Sequence, residues 1–185
     1  MCASAVSRSA KAREFALNDD ESAALARADW KPVFLNAHQN DTLIALSDGI
    51  IPATETPGAK AALVNRFLDL VLSAEPLPAQ HAFLASLAYL DTASMERYKA
   101  PFASLTPEER DNFLGLLAYP RPQSTFWEPE EKFAGYEHFV MLKEWIAGAF
   151  YSSPIGLKEL GWDGSSAHGV FSGCQHSPGE HESTT

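Results

Sequence analysis

The residues best suited to chemistry lie close to the C-terminus of the 185-residue chain. Cys174, His176 and His181, with His168 slightly upstream, place one thiol and three imidazoles within fourteen positions. Thiolate and imidazole are natural ligands of zinc and copper. A structural zinc normally draws on two arms of the Cys-x-x-Cys or His-x3-His type, whereas Cys174 and His176 are one residue apart and no second arm follows. The spacing therefore favours packing or contact over metal binding.

Nucleophilic catalysis is the second chemistry that this cysteine could support. Cys174 with any of the six histidines and an acid would form a nucleophile and base pair, but almost any sequence offers such a set. The chain has no Gly-x-Ser-x-Gly elbow, no Gly-x-Gly-x-x-Gly turn and no Gly-Lys-Ser/Thr phosphate loop. We therefore expect no catalytic residue and no cofactor held by this chain alone.

Two other clusters of chemical interest have simpler interpretations. The acidic pair Glu108-Glu109 and the charged run 128–132 occupy predicted first turns of helices, where negative charge is favoured by the helix dipole. We interpret both as solvated helix ends. Four aromatic residues at helical spacing near the end of the chain are expected to fill the core: Tyr136, Phe139, Trp145 and Phe150.

Charge and composition limit the partners. The chain has 14 basic and 24 acidic side chains, a formal net charge of −10, which argues against binding nucleic acid or anionic lipid. No apolar run approaches the roughly 18 residues of a spanning helix, so we expect no direct membrane insertion. The first residues show neither an apolar signal region nor a twin arginine. Cys2 and Cys174 allow at most one disulfide, which excludes a disulfide-stapled scaffold, and no role is assigned to Cys2.

The elements that must position these residues are helical. Apolar residues recur at helical spacing and no segment alternates as a strand would, so the predicted class is all-α. We expect a single compact helical domain of about five to six helices with an irregular glycine-rich C-terminal tail. The chain is divided into a partly helical N-terminal arm over 1–39, the helical domain over 40–151 and a partner-contacting tail over 152–185.

Caps and prolines indicate where helices begin. The predicted starts are Asn18 or Asp19, Asn40 or Asp41, Thr56-Pro57, Leu77-Pro78, Thr106-Pro107, about Pro129, and Ser153-Pro154. The start at Thr106 is the best specified, because Thr106 and Glu109 form a capping box. Three prolines over 119–129 predict an extended connection. Beyond residue 152 the glycines and scattered aromatics cannot form a periodic core, so the tail must pack on a surface.

Several short motifs, taken in order, resemble a known family. They are Asp48-Gly49-Ile50-Ile51-Pro52, Thr56-Pro57-Gly58-Ala59 with Phe67-Leu68-Asp69, Phe150-Tyr151-Ser152-Ser153-Pro154-Ile155-Gly156, Glu159-Leu160-Gly161-Trp162-Asp163-Gly164 and Gly173-Cys174-Gln175-His176. Over about residues 40–181 the chain resembles the small subunit, subunit 3, of gluconate 2-dehydrogenase and related flavin-dependent sugar dehydrogenases. The family's terminal Cys-x-His-Pro-Glu-His is interrupted here before His181, so only Cys174 and His176 are carried over.

The resemblance implies a non-catalytic accessory subunit without its own cofactor. Its partner would be a large flavoprotein of the glucose-methanol-choline type that holds FAD, often with a cytochrome c subunit, and this chain would stabilise the flavoprotein and shape its substrate entrance. The expected partner-binding residues are Tyr151, Ser153, Pro154, Gly156, Trp162, Phe171, Cys174 and His176. The family implies a periplasmic location, and the missing export signal keeps a cytoplasmic one as the alternative.

A different class of function stays open beside the accessory subunit. In this alternative the chain is a free-standing helical enzyme or metal-binding protein that uses Cys174, His176 and His181. Metal analysis of the purified chain separates the two readings, because the accessory subunit is expected to hold no metal.

Overall fold

The computed structural model describes residues 19–118 and 135–162 of the chain. These two ranges contain seven α-helices and one short 3-10 helix and no strand. The helices are α1 Asp19–Ala26, α2 Ala37–Ile50, α3 Val64–Ala74, α4 Leu77–Tyr98, the 3-10 helix Phe102–Ser104, α5 Pro107–Ala118, α6 Tyr136–Tyr151 and α7 Pro154–Glu159. The predicted all-α class is confirmed.

Two helices organise the packing. Helix α6 contacts α3, α4, α5 and α7, while α2 contacts α3, α4, α5 and the 3-10 helix. Their apolar faces meet in one core whose largest fully buried side chains are Leu43, Leu46, Leu68, Leu72, Phe83, Leu87, Leu90, Phe102, Leu117, Leu142, Ile146 and Phe150. No helix within the two described ranges is both long and apolar enough to cross a membrane.

Helix α2 begins earlier than the sequence predicts. Its cap is Asn36 rather than Asn40 or Asp41, and Asn36 and Gln39 form a reciprocal capping box with N–H···O distances of 2.8 and 2.9 Å. The prediction was wrong because Asn40 is used elsewhere: its side-chain oxygen accepts a hydrogen bond from Asn65 of α3 at 2.8 Å. Because this oxygen is bonded to Asn65, it does not accept a backbone N–H as a helix cap would.

Helix α3 begins later than predicted, at Val64 instead of just after Thr56-Pro57. The chain from 59 to 63 forms turns, and the Ala59 N–H donates to the Ile51 carbonyl at 2.9 Å. Gly58 lies flat against the chain at Ile51, where a Cβ atom would approach that carbonyl oxygen to 2.5 Å. The predicted helix start is thus a tight loop that returns the chain to the end of α2.

Helices α4 and α5 begin where the sequence predicts. Helix α4 starts at Leu77 and continues to Tyr98, where Lys99 adopts a left-handed conformation that ends it. Before α5, Thr106 N–H donates to the Glu109 carboxylate at 2.9 Å and Glu109 N–H donates to the Thr106 hydroxyl at 3.3 Å. The capping box at Thr106 is confirmed.

Helix α6 begins at Tyr136, not near Pro129 as predicted, because Gly135 has a φ of 101° that a helix cannot contain. A side chain at Gly135 would collide with the Tyr89 ring of α4. Of the four aromatics expected in the core, Phe139 and Phe150 are buried, whereas Tyr136 and Trp145 are half-buried. The extended connection predicted over 119–129 lies outside the described residues.

Candidate partner interface

The turn between α6 and α7 is built around Ser153. Its hydroxyl donates to the Phe150 carbonyl at 2.6 Å and accepts the Gly156 N–H at 3.0 Å, so one side chain ends α6 and caps α7. The following Pro154 occupies the first position of α7, where its missing N–H is not needed. The helix start predicted at Ser153-Pro154 is confirmed.

Gly156 lets the two helices meet closely. It is buried, and a Cβ atom there would collide with the Phe150 carbonyl and lie 2.9 Å from the Cα of Tyr151. Only a residue without a side chain fits this contact. The motif from Phe150 to Gly156 therefore encodes a close helix corner, and Ser153 and Gly156 shape that corner from within.

Helix α7 ends in a Schellman motif that positions Trp162. Gly161 adopts a φ of 74°, and its N–H donates to the Lys158 carbonyl at 3.0 Å while the Trp162 N–H donates to the Leu157 carbonyl at 3.0 Å. These are the two hydrogen bonds of the motif, and glycine favours its left-handed position. The Leu-Gly-Trp segment is thus a helix terminator that fixes the backbone of the tryptophan.

This corner carries exposed apolar side chains, which we call the corner surface: Tyr151, Leu160 and Trp162. Their exposed fractions are 41%, 64% and 44%. Half of the six large exposed apolar residues in the described ranges therefore fall within these twelve positions. Lys158 and Glu159 stand beside them as exposed charged residues. Apolar and aromatic centres with a charged rim are typical of protein–protein interfaces.

The structure places five of the eight residues predicted to bind a partner at this corner. Tyr151 and Trp162 belong to the corner surface, Pro154 is exposed, and Ser153 and Gly156 hold the backbone. The remaining predictions, Phe171, Cys174 and His176, lie outside the described residues, as do His168 and His181. In the ranges that the structure does describe, no group of three His, Cys, Asp or Glu side chains could hold a metal ion.

Asp91 is a functional-looking carboxylate that the sequence analysis missed. Its oxygens lie 2.6 Å from Nε2 of His38, accept the Phe102 N–H at 3.0 Å and face the Thr42 hydroxyl at 3.4 Å. It therefore joins α4 to α2 and to the 3-10 helix. The sequence feature that could have identified Asp91 is its place in a long uncharged stretch of α4, where a carboxylate needs a partner.

Ser86 of α4 and His138 of α6 form the second polar pair that sequence reasoning missed. The Ser86 hydroxyl lies 2.9 Å from Nδ1 of His138 and donates to the Ala82 carbonyl at 2.9 Å, while the imidazole stacks on Tyr89 with ring centres 4.5 Å apart. A serine beside a histidine is the core of a nucleophilic site. Because Ser86 is fully buried, we interpret this pair as a polar contact that joins α4 to α6.

Comparison with known protein families identifies a relationship. The family model described as gluconate 2-dehydrogenase subunit 3 matches residues 37–167. No curated protein and no solved structure matches the chain. The matched region begins at the first residue of α2 and includes the Gly58 loop, the α6–α7 corner and Trp162.

Proposed function

Because the chain belongs to the gluconate 2-dehydrogenase subunit 3 family, a small subunit of a dehydrogenase complex, we propose that it is the non-catalytic small subunit of an FAD-dependent sugar or glycoside dehydrogenase. In this proposal a large flavoprotein of the glucose-methanol-choline type holds the flavin and oxidises the substrate. This chain stabilises that flavoprotein and shapes its substrate entrance. The same proposal includes a cytochrome c electron acceptor and a periplasmic complex.

The corner surface is the observation that carries the proposal. Trp and Tyr are enriched among residues that dominate binding energy, and Tyr151, Leu160 and Trp162 are all exposed at the ends of α6 and α7. The close contact at Gly156 and the Schellman motif at Gly161 hold their backbone in one conformation. A preorganised surface loses less conformational freedom on binding and so favours a stable complex.

The test compares two leucines with nearly equal exposure. Leu160 is 64% exposed at the corner, and Leu77 is 65% exposed in the first turn of α4, where an acidic residue suits the helix dipole. We expect Leu160→Asp to abolish the complex with the large flavoprotein subunit, and Leu77→Asp to preserve it. Co-expression, size-exclusion chromatography, flavin absorbance and sugar-dependent dye reduction give the readouts.

The contrary results are equally specific. If the flavoprotein is as soluble and as active without this chain, the accessory-subunit proposal fails. If the purified chain carries one equivalent of zinc or copper that is lost in Cys174→Ala, the alternative of a free-standing metal-binding protein takes its place. If both leucine variants bind equally well, the interface lies elsewhere on the chain.

A further inference from the structure

Residues 25–36, which we call the strap, run from the last turn of α1 to the cap of α2 and precede the family-matched region. Helix α3 holds both ends of the strap. Arg66 donates to the carbonyls of Leu25 and Arg27 at 2.6 and 2.8 Å, and its guanidinium lies 5.0 Å from the centre of the Trp30 ring. Arg66 of α3 therefore holds the first end of the strap.

Asp69, one turn further along α3, holds the other end. Its carboxylate accepts the N–H groups of three consecutive residues, Val33, Phe34 and Leu35, at 2.7, 3.0 and 2.7 Å. Asp69 is almost completely buried. A buried carboxylate is costly without donors, and here the strap supplies three charge-assisted hydrogen bonds.

Apolar anchors tie the strap to the same core as the helices. Leu25 and Leu35 are buried members of the single hydrophobic cluster, and Trp30 and Phe34 pack against it. Opening the strap would expose two buried leucines and leave Asp69 without its donors. The strap therefore belongs to the cooperative unit of the domain, although the family-matched region begins only after it.

We propose that Arg66 and Asp69 make the strap a protease-resistant part of the folded domain. A protease does not cleave the strap in the native chain, because these two side chains hold its backbone against α3. Proteolysis in the native state requires local opening of the backbone, and the strap opens only when the whole domain unfolds. This inference concerns the chain alone and does not depend on the proposed partner.

One peptide bond reports directly on the strap. Trypsin cleaves after arginine, the Arg27 side chain is exposed, and the carbonyl of its scissile bond accepts hydrogen bonds from Arg66 and from the Trp30 N–H. Lys31 is followed by Pro32, which blocks trypsin there. The Lys143–Glu144 bond lies in the middle of α6 and reports on global unfolding.

The experiment is limited trypsin digestion of the full chain, followed by mass spectrometry, with each rate divided by its rate in the urea-unfolded chain. In the wild type we expect the Arg27 and Lys143 bonds to be cut at equal normalised rates. In Arg66→Ala we expect cleavage at Arg27 to rise at least tenfold relative to Lys143. Asp69→Asn should raise the same ratio. Arg97→Ala, which removes an arginine that stacks on Tyr98 instead, should leave it unchanged.

Two outcomes overturn the inference. Rapid cleavage at Arg27 in the native wild-type chain would show that the strap is open under native conditions. An Arg66→Ala ratio equal to that of Arg97→Ala would show that Arg66 does not hold it. Because the Lys143 bond is measured in the same sample, a variant that merely unfolds raises both rates and is recognised as such.

Discussion

Single polar residues of this protein fasten parts of the chain that have no helical hydrogen bonds of their own. Asp69 satisfies the N–H groups of the strap, and Asp91 satisfies the N–H of Phe102 at the start of the 3-10 helix. In the loop between α4 and the 3-10 helix, the Ala100 carbonyl accepts a hydrogen bond from the Ser94 hydroxyl at 2.8 Å. Each of these side chains projects from a long helix, so the helices act as supports for the irregular segments.

Asp69→Ala tests this role of a buried carboxylate. The substitution leaves three N–H groups without their acceptor, and we expect the free energy of unfolding to fall by about 3 kcal/mol. Urea denaturation followed by circular dichroism measures the change. Asp29→Ala is the control, because Asp29 pairs with Arg27 on the exposed surface and its removal should have no measurable effect. Equal losses in the two variants would contradict this account of Asp69.

Glu109 gives the protein a defined acid dependence. The Thr106 main-chain N–H, and then its hydroxyl, donate to the Glu109 carboxylate and lower the pKa of Glu109 below its ordinary 4.5. A carboxyl whose pKa is lowered on folding stabilises the native state at pH values above its unfolded pKa, and this contribution is lost as the pH falls through the folded pKa.

Glu109→Gln keeps an acceptor at the cap but removes this titration. We therefore expect the stability difference between wild type and Glu109→Gln to be constant near neutral pH and to shrink once the pH falls below about 4.5. Urea titrations over a pH series measure it. A difference that stays constant to the lowest pH at which the protein folds would refute the assignment.

At the scale of helices, a capping residue predicted from the local sequence was correct where its side chain bonds within its own turn, and wrong where it bonds to a distant residue. Thr106 and Ser153 cap helices with partners three residues away, and both starts were predicted correctly. Asn40 had the right residue type for a cap but is bonded to Asn65, 25 positions along the chain. The local sequence pattern cannot predict this contact, because the contact depends on how α2 and α3 pack.

The candidate interface was predictable in part for the same reason. The glycines of the corner and Trp162 stand out in the sequence, and the structure gives each a geometric role. Which side chains remain exposed depends on packing between α6 and α7, so Leu160 was not singled out although it is the most exposed apolar residue of the corner. Asp91 and Ser86 were missed because their partners come from other helices.

Gly156→Ala tests the corner itself. The new Cβ would collide with the Phe150 carbonyl, and relief of that contact must displace α7, so we expect a loss of about 1 to 3 kcal/mol and weaker partner binding. Gly148→Ala is the matched control, since Gly148 is exposed within α6 and a Cβ there meets no atom within 4 Å. It should stabilise the helix by up to about 1 kcal/mol. Thermal unfolding and complex formation are measured for both; equal behaviour would reject the close-contact argument.

At the scale of the whole molecule, the core is closed and the corner surface is left outside it. Phe150 lies within the core, whereas its neighbour Tyr151 is 41% exposed. The last turn of α6 therefore contributes one aromatic side chain to the core and the next one to the corner surface. Permanent heteromeric interfaces commonly bury more than about 2,000 Å² in total, far more than three side chains provide. The corner is therefore expected to be the centre of a wider contact.

The isolated chain should self-associate through this surface. We expect purified wild-type chain to show concentration-dependent association in light scattering, and Leu160→Asp to remain monomeric. The same substitution is expected to abolish the complex with the flavoprotein, so it should reduce self-association and prevent complex formation together. A wild-type chain that stays monomeric at high concentration would show that the corner surface does not drive self-association.

Asp69 also affects amide hydrogen exchange. Val33, Phe34 and Leu35 lie outside every helix, and residues of this kind usually exchange within the dead time of an experiment. Here all three N–H groups donate to a buried carboxylate that is released only by opening the core, so they should exchange as slowly as amides in the middle of α4. Exchange measured by NMR or mass spectrometry, with the exposed loop 52–57 as the fast reference, would then show a slow-exchanging stretch of irregular backbone ahead of the first residue of α2.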